Sequence, residues 1–179
     1  NTKTNYNPYT HTEDTDMDMG NAILVNKYYH LASDYAPDDI VEMSNWYSYP
    51  GNRIREEVYN EFIEMFNAAK EDGITLIVNS SYRTHDEQEE IYNDYESSQG
   101  KAYADKYAAR PDYSEHQTGL ALDIFTPGAG MANFEDTDAF RWLQENSYKY
   151  GFILRYPKGK EDITGYNYEA WHYRFLGKD

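Results

Sequence analysis

Asp123 stands in a run that otherwise reads as a strand, "HQTGLALDIF" over residues 116–125. Burying an ionised carboxylate costs several kcal/mol unless something compensates it. A fold that buries this strand must therefore bring a cation, a metal ion or hydrogen-bond donors to Asp123. By strand alternation Leu120, Leu122 and Ile124 point one way, and Ala121, Asp123 and Phe125 the other. Ala121 is small and leaves room in front of the carboxylate. His116 lies just upstream in "SEHQTGLALDI", separated by a turn containing Gly119.

The flanking pattern predicts the rest of the scaffold. Ile54, Val58, Phe62, Met65 and Ala69 recur at helical spacing, with Gly73 just past the end, so residues 54–70 form an amphipathic helix. "ITLIVNSSYR" follows as a buried strand. Thr84 and Glu87 form a capping-box pair that opens a helix closed by Gly100. Residues 101–113 read as a short helix or loop ending at Pro111. Thr137 or Asp136 caps a further helix to about Tyr150, "GFILRYP" is a strand, "KGKEDITG" a polar turn and "WHYRFLG" a last strand. Upstream, "AILVNKYY" is strand-like or extended. Helices and strands mix without strict alternation, so the expected fold class is α+β: a single domain with a partly antiparallel central sheet flanked by helices.

A length of 179 residues suits one domain with one core. Residues 1–20 are polar and acidic and read as a disordered linker or loosely wrapped arm, with His11 solvated within it; residues 21–179 make the folded domain. The 32 acidic against 16 basic residues give a formal charge of −16. Nucleic acid is excluded as a partner, because phosphate contacts need clustered Lys and Arg. Any anionic ligand must be gripped by local cations against an unfavourable overall field. The 20 tyrosines can be half buried with their hydroxyls in water, and some are expected to line a groove. There are no cysteines, so disulfides and thiolate metal sites are absent. No apolar run is long enough to span a bilayer. The chain starts at Asn1 rather than Met, and a signal or anchor segment is expected to precede it in the natural protein.

The last strand offers His172, with Trp171, Tyr173 and Phe175 alternating onto the opposite side. Two histidines and a carboxylate are a three-ligand set for catalytic zinc, the fourth position being left to water. Glu169, three residues before His172, is then a candidate general base. The residues alone leave other readings open. Asp123 can accept hydrogen bonds from backbone or arginine, and a histidine in an aromatic strand can be a satisfied core residue. His85, at a helix start beside acids, reads as a surface residue, and His30 as packing or hydrogen bonding.

"SYRTHDEQ", "SEHQTGLALDI" and "YEAWHYRFLG", in this order, resemble the VanY-like D-alanyl-D-alanine carboxypeptidases, peptidoglycan metallopeptidases that include the LdcB-like L,D-carboxypeptidases. The shared core is Ser114, His116, Gly119, Ala121 and Asp123, then Glu169, Trp171 and His172. Ser81 stands where the motif usually has Gly, and Ala170 where it has Pro; neither change removes a functional atom. The resemblance covers nearly everything from about residue 21 onward. It implies a Hedgehog/DD-peptidase-like fold and one Zn²⁺ ion held by His116, Asp123 and His172. It also implies Glu169 as general base, and Arg83 as the side chain that binds substrate and stabilises the oxyanion. Gln88 and Ser114 match positions that hold the terminal D-alanine carboxylate, and Trp171 is expected to line the peptide groove.

The implied function is zinc-dependent release of C-terminal D-alanine from peptidoglycan stem peptides, by D,D- or L,D-cleavage. A monomer acting outside the cell or in the bacterial cell envelope is expected. The alternative is a non-catalytic, zinc-stabilised module that binds cell wall. Retention of Glu169 and Arg83 argues against it, since a structural zinc site needs neither.

Overall fold

The computed structural model describes residues 7–178. Two short pairings precede the main sheet. Strand β1 (Glu13–Asp14) runs parallel to β2 (Tyr29–His30), and β3 (Ile40–Glu42) pairs antiparallel with β4 (Arg53–Arg55). Helix α1 (Glu56–Glu71) buries Val58, Phe62, Met65, Phe66 and Ala69, and places Glu56 and Glu57 at its positive end and Lys70 in its last turn. It starts two residues later than the hydrophobic pattern predicts. Arg53–Arg55 is recruited as a strand, and Ile54 is buried from there.

Then come β5 (Ile77–Ser80), α2 (His85–Gln99), α3 (Lys101–Tyr107), β6 (Ala121–Phe125), α4 (Asp138–Asn146), β7 (Phe152–Tyr156), α5 (Glu161–Thr164) and β8 (Glu169–Phe175). The central sheet has the order β5-β6-β8-β7, and every pairing within it is antiparallel. The Thr84–Glu87 capping box forms as expected, and Thr137 rather than Asp136 caps α4. Helix α4 ends at Asn146, and a 3-10 turn carries the chain to Tyr150. The polar turn at 158–165 holds the single helical turn α5. Of "AILVNKYY" only Tyr29 enters a strand, although Ile23 and Val25 are buried.

One apolar core lies between α1, α4 and the sheet, and the inner strand β6 is buried along its whole length. A smaller cluster of Tyr92, Ala104 and Ala108 joins α2 to α3. Beside it the buried Asp105 takes two hydrogen bonds from Arg110, both 2.9 Å, and one of 2.6 Å from the Tyr92 hydroxyl. Lys27 Nζ donates to the Asp105 carbonyl at 2.9 Å. Residues 7–20 make several contacts with the rest of the chain. Tyr9 packs edge-on against Tyr113 at 4.8 Å, the Arg110 guanidinium lies 4.1 Å over its ring, and its hydroxyl accepts the Arg110 N–H. The acidic segment is held by this aromatic anchor over a cation and by its pairing with β2, where the Glu13 N–H donates to the Tyr28 carbonyl at 2.7 Å and the Thr15 N–H to the His30 carbonyl at 2.9 Å. His11 is exposed.

Phe62 is fully buried at the centre of α1. Phe62→Ala is expected to lower the unfolding free energy by about 3–5 kcal/mol, read as a lower denaturant midpoint with an unchanged m value.

Candidate metal centre and active site

The sheet register builds the centre. Asp123 on β6 lies directly opposite His172 on β8 and, on its other side, opposite Ser80 on β5. His116 arrives from a 3-10 turn (Glu115–Thr118) that Ser114 caps by accepting the His116 N–H at 3.3 Å. Gly119 ends that turn in the left-handed region at φ 67°, and a Cβ there would meet Arg55 Cγ at 2.7 Å. Any other residue at this position strains the step from His116 into β6.

The structure brings all three expected ligands together. Donor atoms of His116, Asp123 and His172 lie within 4.8 Å of one another, and all three residues are buried. Asp123 Oδ1 sits 3.4 Å from His116 Nε2 and 3.3 Å from His172 Nδ1, yet it has no hydrogen-bond partner. The other nitrogen of each ring is already used. His116 Nδ1 donates to the Ser81 carbonyl at 2.8 Å, and His172 Nε2 donates to Glu115 at 3.0 Å. Each histidine therefore turns its remaining ring nitrogen toward the same point as the orphaned carboxylate oxygen. Two imidazoles and a carboxylate, oriented by outer hydrogen bonds, form a donor set that fits zinc.

Sequence reasoning did not single out Glu115, which has no exposed side-chain surface. Besides His172, its carboxylate binds Arg155 at 2.6 Å and Arg174 at 3.0 Å. Burial alone would raise its pKa, but these three partners outweigh burial and hold it at about 2. Burial likewise opposes a charged His172, yet Asp123 and Glu115 on either side raise its pKa to about 10. The space between those carboxylates favours positive charge. For Asp123, burial is again overcome, chiefly by His116 and then His172, and its pKa lies well below the usual carboxylate range.

Glu169 opens β8 with Oε2 3.6 Å from His172 Nδ1. Its own desolvation dominates and pushes its pKa up to about 7; Asp123 and Glu115 raise it further, while His172 and Arg83 oppose. Arg83 approaches from the opposite side, with Nη2 4.0 Å from Asp123 Oδ2. Its Nη1 donates to Gln88 Oε1 at 2.7 Å, and Gln88 Nε2 donates to the Ala109 carbonyl at 2.8 Å. This clamp fixes the guanidinium at the wall of a cavity of about 390 Å³ that Arg83, Gln88, Ser114, His116, Asp123, Glu169, Trp171 and His172 all line. Trp171 also stacks on Phe125, with ring centroids 6.0 Å apart and planes 13° from parallel. Tyr156 and Tyr166 line the same space.

The other histidines stay outside. His85 Nδ1 donates to Asp112 at 2.7 Å, and His30 Nδ1 donates to the Leu31 carbonyl at 3.0 Å while packing on Tyr113.

The profile of the family "VanY: D-alanyl-D-alanine carboxypeptidase" matches residues 51–178, which include the whole cavity. A D-alanyl-D-alanine carboxypeptidase of Enterococcus faecalis (strain ATCC 700802 / V583) is 39% identical over 177 residues, covering 94% of this chain and 63% of that protein. The chain spans about three fifths of the length of its Enterococcus faecalis and Bacillus subtilis relatives. The solved LdcB LD-carboxypeptidase has a TM-score of 0.87 at 41% identity, with 94% of this chain and 82% of that one covered. A mutant of the vancomycin resistance D,D-pentapeptidase VanY, solved in complex with Zn(II), has a TM-score of 0.72 at 38% identity, with 87% of each chain covered. With residues 51–178 matched by the family profile and most of the chain matched by these relatives, the chain belongs to the VanY family of D-alanyl-D-alanine carboxypeptidases.

Proposed function

We propose that the chain is a zinc carboxypeptidase that releases the C-terminal D-alanine of peptidoglycan stem peptides, acting as a monomer in the bacterial cell envelope. The observation that carries this reading is the placement of Glu169 and the Arg83–Gln88 clamp beside the His116–Asp123–His172 donor set, within one cavity. Zinc bound by those three side chains supplies Lewis acidity, which acidifies water and polarises a carbonyl. Glu169 accepts a proton from water at its carboxylate and returns it to the departing amine. Arg83 supplies a buried positive charge for the oxyanion and the substrate carboxylate, where a low dielectric makes it count. Gln88 and Ser114 orient the terminal carboxylate, and Trp171 holds the adjoining peptide.

Of the two bonds the family cleaves, we favour the one between the diamino residue of a tetrapeptide and D-alanine. The preference follows LdcB itself, at a TM-score of 0.87, rather than L,D cleavage as a class, since the D,D-pentapeptidase VanY stands at 0.72 and the L,D-carboxypeptidase DacB at 0.65. Incubation with tetrapeptide and pentapeptide stems, followed by mass spectrometry of released D-alanine, should show loss of one alanine from the tetrapeptide; turnover of the pentapeptide alone sinks the L,D assignment.

Glu169→Gln is expected to keep zinc while kcat falls by about 10²–10⁴-fold. Full activity in this variant removes Glu169 from the reaction, and a wild type that binds zinc but cleaves no stem peptide favours the wall-binding module.

Glu115→Gln should act through His172, Arg155 and Arg174 rather than on substrate. Zinc affinity, measured by chelator competition, is expected to fall by about 10–100-fold. Unfolding free energy is expected to drop by about 3–5 kcal/mol, because two buried guanidinium groups lose their counter-charge.

A further inference from the structure

Three tyrosines form a continuous surface at the mouth of the cavity. Tyr95 comes from α2, and Tyr103 and Tyr107 from α3; all three line the cavity. They remain 38%, 38% and 45% exposed, although the interhelical core of Tyr92, Ala104 and Ala108 lies directly beneath. Tyr95 and Tyr103 are within 25° of parallel with centroids 6.0 Å apart, an offset too large for either ring to cover the other. Tyr103 and Tyr107 follow at 4.4 Å and 38°. Lys106 lines the cavity at the same place and holds its ammonium 5.2 Å from the Tyr107 ring centroid.

Neighbouring aromatic rings left open to water suit a ligand with one flat, weakly polar face and a polar edge. A pyranose ring has that form: its axial C–H bonds present an apolar face to the ring quadrupole, while its hydroxyls stay in water.

The position along α2 decides which part of a substrate reaches this surface. Gln88, in the clamp beside the metal donors, and Tyr95 are two turns apart on α2, about 10 Å along the axis. The four residues of the tetrapeptide span about 13–14 Å when extended, enough for the far end of the stem to reach this surface. The stem peptide is joined to a sugar at its far end, so a stem anchored at the clamp by its terminal D-alanine delivers that sugar to the tyrosines. The cavity itself is used by the peptide, and the aromatic surface continues it outward.

We propose that Tyr95, Tyr103 and Tyr107 form a subsite that stacks on the amino sugar carrying the stem peptide, so that the chain prefers glycan-linked stems to free peptides. The inference rests on the carboxypeptidase reading above. It is tested with two substrates of identical stem, one free and one linked to the N-acetylglucosamine–N-acetylmuramic acid disaccharide.

The wild type is expected to show kcat/KM about tenfold higher for the linked stem. The double variant Y103A/Y107A should bring the ratio of the two values to about 1, and Y103F, which keeps the ring, should preserve it. The ratio reads the subsite even if a variant alters both rates. Equal kcat/KM for the two substrates in the wild type overturns the subsite alone, as does a ratio that survives Y103A/Y107A. A ratio lost equally in Y103F overturns stacking. Hydrolysis of neither substrate overturns the carboxypeptidase reading, and the subsite with it.

Discussion

Glu115 binds His172, Arg155 and Arg174 at once, and its partners stand on two neighbouring strands of the sheet. Arg174 reaches further, donating from its other terminal nitrogen to the carbonyls of Asn21 and Ile23. One buried carboxylate thus connects the turn carrying His116, the strand carrying His172 and the segment that leads in from the N-terminal arm. Such a network has little net effect on stability while intact, because desolvation offsets much of the Coulomb attraction. Its consequence is geometric. With Nε2 of His172 committed to Glu115, the ring can offer only Nδ1 to Asp123.

The three carboxylates of the centre sit within a short distance and meet different surroundings. Glu115 is saturated by cations and held at about 2, whereas Asp123 keeps one oxygen without a hydrogen bond between two imidazole nitrogens. Glu169, at the end of β8, has no strong donor, and desolvation raises it to about 7. Environments that separate the pKa values of neighbouring acids also separate their roles. The first is suited to orientation, the second to ligation and the third to moving protons. The same side-chain chemistry is placed three times and differentiated by what surrounds it.

How far these features were legible depends on the range over which each is encoded. Helix α1, the capping box at Thr84 and Glu87, and the apolar run of β6 are local patterns, and they appear where the pattern places them. The buried Asp123 was visible because a lone acid in such a run is anomalous. The metal donor set was suggested by spacing and made specific by the family motifs around it. Glu115 escaped because its meaning lies in partners 40 and 59 positions away, and a glutamate next to histidine in a polar stretch carries no mark of burial. The docking of residues 7–20 was hidden similarly. One of its anchors is Tyr9 over Arg110, a contact across 101 positions made by a segment whose composition reads as solvated.

The charge distribution bears on how an acidic protein handles an anionic peptide end. With a formal charge of −16, its long-range field repels a carboxylate, and salt in the surroundings weakens that repulsion beyond about 10 Å. Close to the sheet the balance changes, since Arg83, Arg155 and Arg174 are largely buried beside the donor set. Arg155 and Arg174 are answered by Glu115. Arg83 has a neutral clamp, Gln88, and a carboxylate no closer than 4.0 Å in Asp123. If His116, Asp123 and His172 hold a dication, the negative charge nearest Arg83 is engaged there, and the guanidinium becomes the least committed of these three buried arginines. On the proposed reading, a substrate carboxylate is then attracted over the last few ångströms by a group whose own partner has been drawn away. The clamp and the metal centre act as one electrostatic unit, although they come from different strands and helices.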